Sequence, residues 1–245
     1  MKTTTLALGF LLVLTTGAVA QVPDLSSLIP PGNGSAAGRI IQIIVLLTVL
    51  SLAPGLLVMV TSFTRFIVAL SFLRSGLGMQ STPANLILIS LSLFLTFYVM
   101  SPVFDRAWQG GVKPLMDNHL SEAEALTKIA DPFREFMLKQ VRDKDLKLFE
   151  DLAKDSFKPP QDQAQVELRV LIPAFMISEL RRGFEIGFLI ALPFLVIDMI
   201  VSTITMSMGM MMMPPSVISL PIKILFFILI DGWNLLIGSL VRSYS

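Results

Sequence analysis

Three ionisable residues stand where charge is costly. Asp198 lies in the apolar run 188–204, and Lys223 and Asp231 lie in the apolar run 217–237. A charge in such a setting usually faces a partner or a wet cavity. Two chemistries fit. The residues could pair between helices or between protomers and fix their register, or they could form a proton or ion relay. A relay needs more titrating groups aligned through the membrane than this chain supplies, so pairing is the preferred reading. Lys223 and Asp231 are eight residues apart and would share one face of a continuous helix.

Glu179, Arg181, Arg182 and Glu185 form a second cluster. Arg182 precedes Glu185 by three residues, within local helix-pairing distance. The cluster is either a solvated helix face or an intersubunit salt-bridge ring, which a homo-oligomer would build once per protomer. Catalysis has little support. Ser178, Glu179 and Asp198 form no nucleophile–base pair, and no two carboxylates are set apart for acid–base work. The single histidine, His119, reads as a surface residue of a polar loop. Without cysteine there is no disulfide, thiol nucleophile or Cys-ligated zinc. One histidine excludes a multi-His metal site. The reading is therefore no enzyme, no cofactor and no metal.

The elements that carry these residues are apolar helices. The 245-residue chain is 53% hydrophobic and only 15% charged, against about 25% charged for a soluble domain. A formal net charge of +1 gives no electrostatic case for nucleic acid. The expected fold is all-α, with membrane-associated helical hairpins and a small helical insertion.

The chain divides into five stretches. Residues 1–20 read as a signal peptide, with Lys2, an apolar stretch 6–14 and the small-residue sequence Ala18-Val19-Ala20, so that cleavage would fall between Ala20 and Gln21. Residues 21–39 are a Pro/Gly/Ser-rich periplasmic lead. Residues 40–104 form a first apolar hairpin, expected to kink or break at Pro54-Gly55 and to end its second arm at Pro102. Between its arms, 61–80 carries Arg65 and Arg74 and no acid, the pattern of a short cytoplasmic loop. Its small residues Ala69, Ser75, Gly76 and Gly78 also suggest close helix contacts.

Residues 105–170 are a polar helical insertion, placed outside with the N-terminus by alternation of spans. Ser121-Glu122-Ala123-Glu124 is a capping box, and Asp131-Pro132 reads as a second helix start. Phe133, Phe136, Met137 and Val141 recur at helical spacing, as do Leu146, Phe149, Leu152 and Ala153.

Residues 171–245 are a second apolar hairpin, with a possible kink at Pro173. Gly183 and Gly187 form a small-xxx-small pair. The tip is broken by Gly209 and by Pro214-Pro215, and between them stand Met210, Met211, Met212 and Met213. Methionine fills irregular gaps without fixing one geometry. The run is either turn packing or a soft constriction where several copies meet at an axis.

Two stretches resemble signatures of the FliP family of flagellar type III export-gate proteins. One is Pro221-Ile222-Lys223, an apolar run, then Asp231-Gly232-Trp233. The other is Pro173-Ala-Phe-Met-Ile-Ser178-Glu179-Leu180 with Gly183-Phe184 and Gly187-Phe188. The Gly-Met-Met-Met tip is similar too, and the resemblance covers about 39–245. It implies a core subunit of the export gate in the bacterial inner membrane and flagellar basal body, with parts on the periplasmic side. Several copies, five expected, would wind with FliQ-like and FliR-like subunits into a closed helical channel. Unfolded substrates would pass through it, and other flagellar export and basal-body proteins would adjoin it. In that channel Met210 to Met213 would line a gasket. Asp198, Lys223, Asp231, Glu179, Arg182 and Glu185 would hold helices and protomers together. The insertion would form lateral contacts and the outer rim. The family is usually drawn with four spans, although its assembled complex is largely raised above the bilayer. An injectisome-type virulence gate and an ion-conducting membrane unit are the alternatives.

Overall fold

The computed structural model describes residues 36–79, 82–153, 166–209 and 214–244. Every regular element in them is helical: α1 (Ala36–Val60), α2 (Phe63–Gly76), α3 (Asn85–Ala107), a π-helical turn (Trp108–Val112), α4 (Lys113–Met116), α5 (Glu122–Gln140), α6 (Asp143–Ala153), α7 (Leu168–Ser207), α8 (Pro215–Leu229) and α9 (Gly232–Arg242). Among the described residues, those up to Leu50 and those from Ser51 onward form two compact units. In the first, the side chains of Ile41, Ile44, Val45, Leu47 and Leu50 are all exposed.

Within the second unit, α2 is the central element. Phe66, Ala69, Leu70 and Leu73 are buried with Leu88 and Leu95 of α3, Phe194 of α7, Phe227 of α8 and Leu236 and Leu240 of α9. A second apolar cluster joins Met100 and Val103 of α3, Phe136 and Met137 of α5, Leu146 of α6 and Val170, Leu171, Ala174 and Phe175 of α7. The insertion helices thus lie on the first half of α7, and the α7–α8 hairpin lies on its second half.

Helix α2 runs parallel to α7 in a ladder of four-residue steps. A methyl group on Gly183 would lie 3.0 Å from Val68 Cβ, and one on Gly187 would lie 2.6 Å from Phe72 Cβ. One on Gly76 would lie 3.2 Å from Ala191 Cβ. Glycine is needed at Gly187 because any side chain there collides with its neighbour. The expected small-residue contact is present, and it extends one further turn to Ala191.

Several expectations change. The stretch 61–80 is no solvated loop: it supplies α2, the most deeply buried helix, and Arg65 is 0% exposed. Arg65 is therefore an interior residue, whereas Arg74 keeps partial exposure and donates to Asn85. Helix α1 passes through Pro54 without a break, and α3 passes through Pro102. Helix α7 passes through both Pro173 and Pro193 over 40 residues. A proline removes one rung of the ladder, and in long apolar helices the remaining hydrogen bonds and the packing carry the helix across it. Asp131-Pro132 starts no helix. Helix α5 is continuous there because buried Pro132, with Phe136 and Met137, belongs to its packed face. The Ser121–Glu124 capping box does open α5. On α6, Leu146 points inward but Leu152 is exposed.

By length and composition, α1, the stretch Asn85–Met116 and α7 can each cross a membrane, and α8 with α9 form a fourth candidate bent by 65°. The bend falls at Asp231, which has the left-handed backbone conformation (φ 51°).

Candidate functional site

Arg65 of α2 and Glu179 of α7 meet inside the second unit, both side chains fully buried. The stripe 179, 183, 187 and 191 on α7 faces α2, so Glu179 is the polar head of the small-residue ladder. Arg65 Nε donates to Glu179 Oε2 at 3.0 Å, and Nη2 donates to Glu179 Oε1. Nη2 also donates to Gln140 Oε1 of α5 at 3.2 Å. Nη1 donates to the carbonyl and the hydroxyl of Ser243, at 3.0 and 2.8 Å. All five guanidinium donors are therefore used. The Tyr244 ring lies against the guanidinium, 3.6 Å from Cζ to the ring centroid, and its hydroxyl donates to Glu179 Oε2. Burial, and then the Glu179 carboxylate, push the Tyr244 phenol well above its usual range, so it stays a donor.

This network could not be read from local spacing. Local spacing groups Glu179 with Arg182 and Glu185, but its partner is Arg65. Arg182 makes no ion pair with Glu185; Arg181 does, at 2.7 Å on an exposed face. The i,i+4 geometry wins there because residues four apart lie on the same edge of the helix. Gln140, Ser243 and Tyr244 carried no signal of their own in the sequence.

A second polar contact holds the α7–α8 hairpin. Lys223 is 4% exposed, and its Nζ donates to Asp198 Oδ2 at 2.6 Å and to the carbonyl of Gly76 at 2.9 Å. The pair is antiparallel and lies within one chain. The Asp198 side chain keeps 38% exposure. Asp231 does not share the Lys223 face. The helix ends at Leu229, and Asp231 is an exposed residue at the start of α9. Its left-handed backbone turns the chain, and Gly232 packs so closely that an added methyl would lie 2.2 Å from the Phe227 ring.

A third contact ties α6 to α7. Ser178 Oγ lies 2.7 Å from Asp145 Oδ2 and accepts from the Arg142 amide at 3.1 Å. Among the described residues, no three His, Asp or Glu side chains converge as a metal site would require. His119 is exposed and lines an open depression with Trp108, Gln109, Lys113, Pro114 and Asp117.

At the hairpin tip, α7 ends at Ser207 and Gly209 takes φ +74°, a conformation that suits a residue without Cβ. Pro214 caps α8, and Pro215 is its first residue, where a missing amide costs nothing. Met210, Met211, Met212 and Met213 lie outside the described residues, as do Ala20 and Gln21.

Fold and site together define an all-helical protein of the membrane-inserting class. Arg65 with Glu179 and Lys223 with Asp198 form internal pairs, and much of its apolar surface is left outside. The sequence profile of the FliP family matches residues 46–240, and the chain belongs to that family. It is 62% identical over 214 residues to the flagellar biosynthetic protein FliP of Rhizobium meliloti, covering 87% of each chain. It is 63% identical over 213 residues to the protein of that name from Agrobacterium fabrum, again covering 87% of each. With the Bacillus subtilis protein it shares 50% over 204 residues, 83% of this chain and 91% of that one.

Proposed function

We propose that the chain is a channel-forming subunit of the flagellar type III protein export gate. It passes unfolded flagellar substrates across the bacterial inner membrane. The observation that carries this reading is where the polar and apolar residues lie. Within each protomer, Arg65, Glu179 and Lys223 are buried. Phe188, Leu192, Met199 and Ile204 of α7, and Val217, Leu225 and Leu229 of α8, are exposed. An apolar face on a bent hairpin must be covered by lipid or by other subunits. A single protomer has too few spans to enclose a wide pore.

Several copies, five in this reading, pack these faces against one another and against FliQ-like and FliR-like subunits. The Met210–Met213 tip then closes the axis as a gasket, and the insertion forms the periplasmic rim. In this reading Asp198, Lys223, Glu179, Arg182, Glu185 and Asp231 are structural polar residues. An ion-conducting unit is disfavoured because Asp198 and Glu179 each already have a cationic partner.

Co-expression with FliQ-like and FliR-like subunits, extraction in detergent and native mass spectrometry test the proposal. The expected species contains several copies of this chain with both partners. Recovery as a monomer that binds neither partner rejects it.

A further inference from the structure

The Arg65–Glu179 pair belongs to α2 and α7, yet those helices alone do not satisfy it. Ser243 accepts from Arg65 Nη1 through two oxygens, and Tyr244 supplies a hydrogen bond to Glu179 and a ring against the guanidinium. The same ring stacks on Phe136 of α5, with centroids 5.8 Å apart, and lies 5.6 Å from Phe66 of α2. Its hydroxyl also lies 3.3 Å from the Ser62 carbonyl, just before α2. Tyr244 packs against both apolar clusters. It therefore bridges the half of α7 that carries the insertion and the half that carries the hairpin.

Without residues 243 and 244, the Nη1 donors of a fully buried arginine lose their acceptors. Glu179 also loses its hydroxyl donor. A buried charge left short of partners draws in water or opens its surroundings. We propose that the Ser243-Tyr244 segment is a strap. It closes over the buried Arg65–Glu179 pair between α2, α5 and α7, and so locks the polar insertion to the apolar hairpin. With the strap off, the cleft beside Ser62 is open to water. With the strap on, it is dry.

Ser62 offers a direct reporter. Its side chain is fully buried, and its Oγ makes no hydrogen bond, so Ser62→Cys removes no bond. The chain has no cysteine of its own, which leaves a single thiol to read. Ser92 of α3 is equally buried and makes its hydrogen bond within its own helix, so Ser92→Cys serves as the control. The protein is purified in detergent with whatever subunits it retains, and the rate of maleimide labelling is measured on this chain's own band in each background.

Tyr244→Ala is expected to speed labelling of the Ser62→Cys thiol by about tenfold or more, the population change that a loss of roughly 1.4 kcal/mol produces. Labelling of the Ser92→Cys thiol should stay within about twofold. Tyr244→Phe keeps the ring and removes only the hydroxyl, so it should give a smaller rise at the same thiol alone. If Tyr244→Ala does not accumulate, Tyr244→Phe decides. Equal acceleration at both thiols would mean general loosening of the fold, and no acceleration at the Ser62→Cys thiol would mean that nothing opens there. Either result overturns the strap. Both outcomes are read on the labelled protomer, so they stand apart from the copy number and partners tested above.

Discussion

Replacing Arg65 with methionine keeps most of the side-chain length and removes the charge. Glu179 is then a fully buried carboxylate without its cation, and Gln140 and Ser243 lose a donor. Removing one member of a buried pair costs about 3–5 kcal/mol. For a chain of this size that lowers the unfolding midpoint by about 6–20 °C. Lys223→Met provides the comparison. Lys223 is buried, but the Asp198 side chain is 38% exposed and can rehydrate. Its loss should therefore cost about 1–3 kcal/mol, between the values for exposed and buried pairs, or about 2–12 °C. Adding Glu179→Gln to Arg65→Met leaves no buried charge unpaired and should restore about half of the lost stability. The assay is size-exclusion recovery of the detergent-solubilised complex after stepped heating. If Lys223→Met lowers the midpoint as much as Arg65→Met, or if the double variant is no better than the single, burial does not set the size of these effects.

Gly187→Ala places a methyl 2.6 Å from Phe72 Cβ. Such overpacking costs roughly 1–3 kcal/mol, and the same heating assay should show it, while Gly238→Ala, with nothing within 4 Å, should be tolerated. Replacing Met210 to Met212 with glycine should let small solutes cross the inner membrane while the complex still assembles. A variant complex as tight as the parent in a conductance measurement would reduce the methionines to turn packing. At the N-terminus of α5, hydrogen bonds from Ser121 hold the Glu124 carboxyl below its ordinary range. That contribution is therefore complete above the ordinary glutamate pKa and fades as pH falls through the lowered one. Protection factors of the amides in the first turn of α5, corrected for the pH dependence of intrinsic exchange, should fall on acidification, and Ser121→Ala should remove most of that fall.

The helices were legible because they are local. Apolar runs, the capping box at Ser121 and the tip flanked by Gly209 and Pro214 each act within a turn or two of the chain. The small-residue ladder on α7 was visible for the same reason, since Gly183 and Gly187 share one edge of one helix. Pro102 and Pro132 misled, because sequence shows the lost hydrogen bond but not the packing that carries α3 and α5 across it. Partners lay further out of reach. Arg65 and Glu179 are 114 residues apart, and the Arg65–Ser243 contact spans 178. Nothing in the type or spacing of those residues distinguishes a basic loop from a buried arginine. That distinction follows from α2 and α7 running side by side at glycine distance. This geometry excludes water from Arg65 and requires acceptors from Glu179, Gln140 and Ser243, which only the tertiary fold brings together.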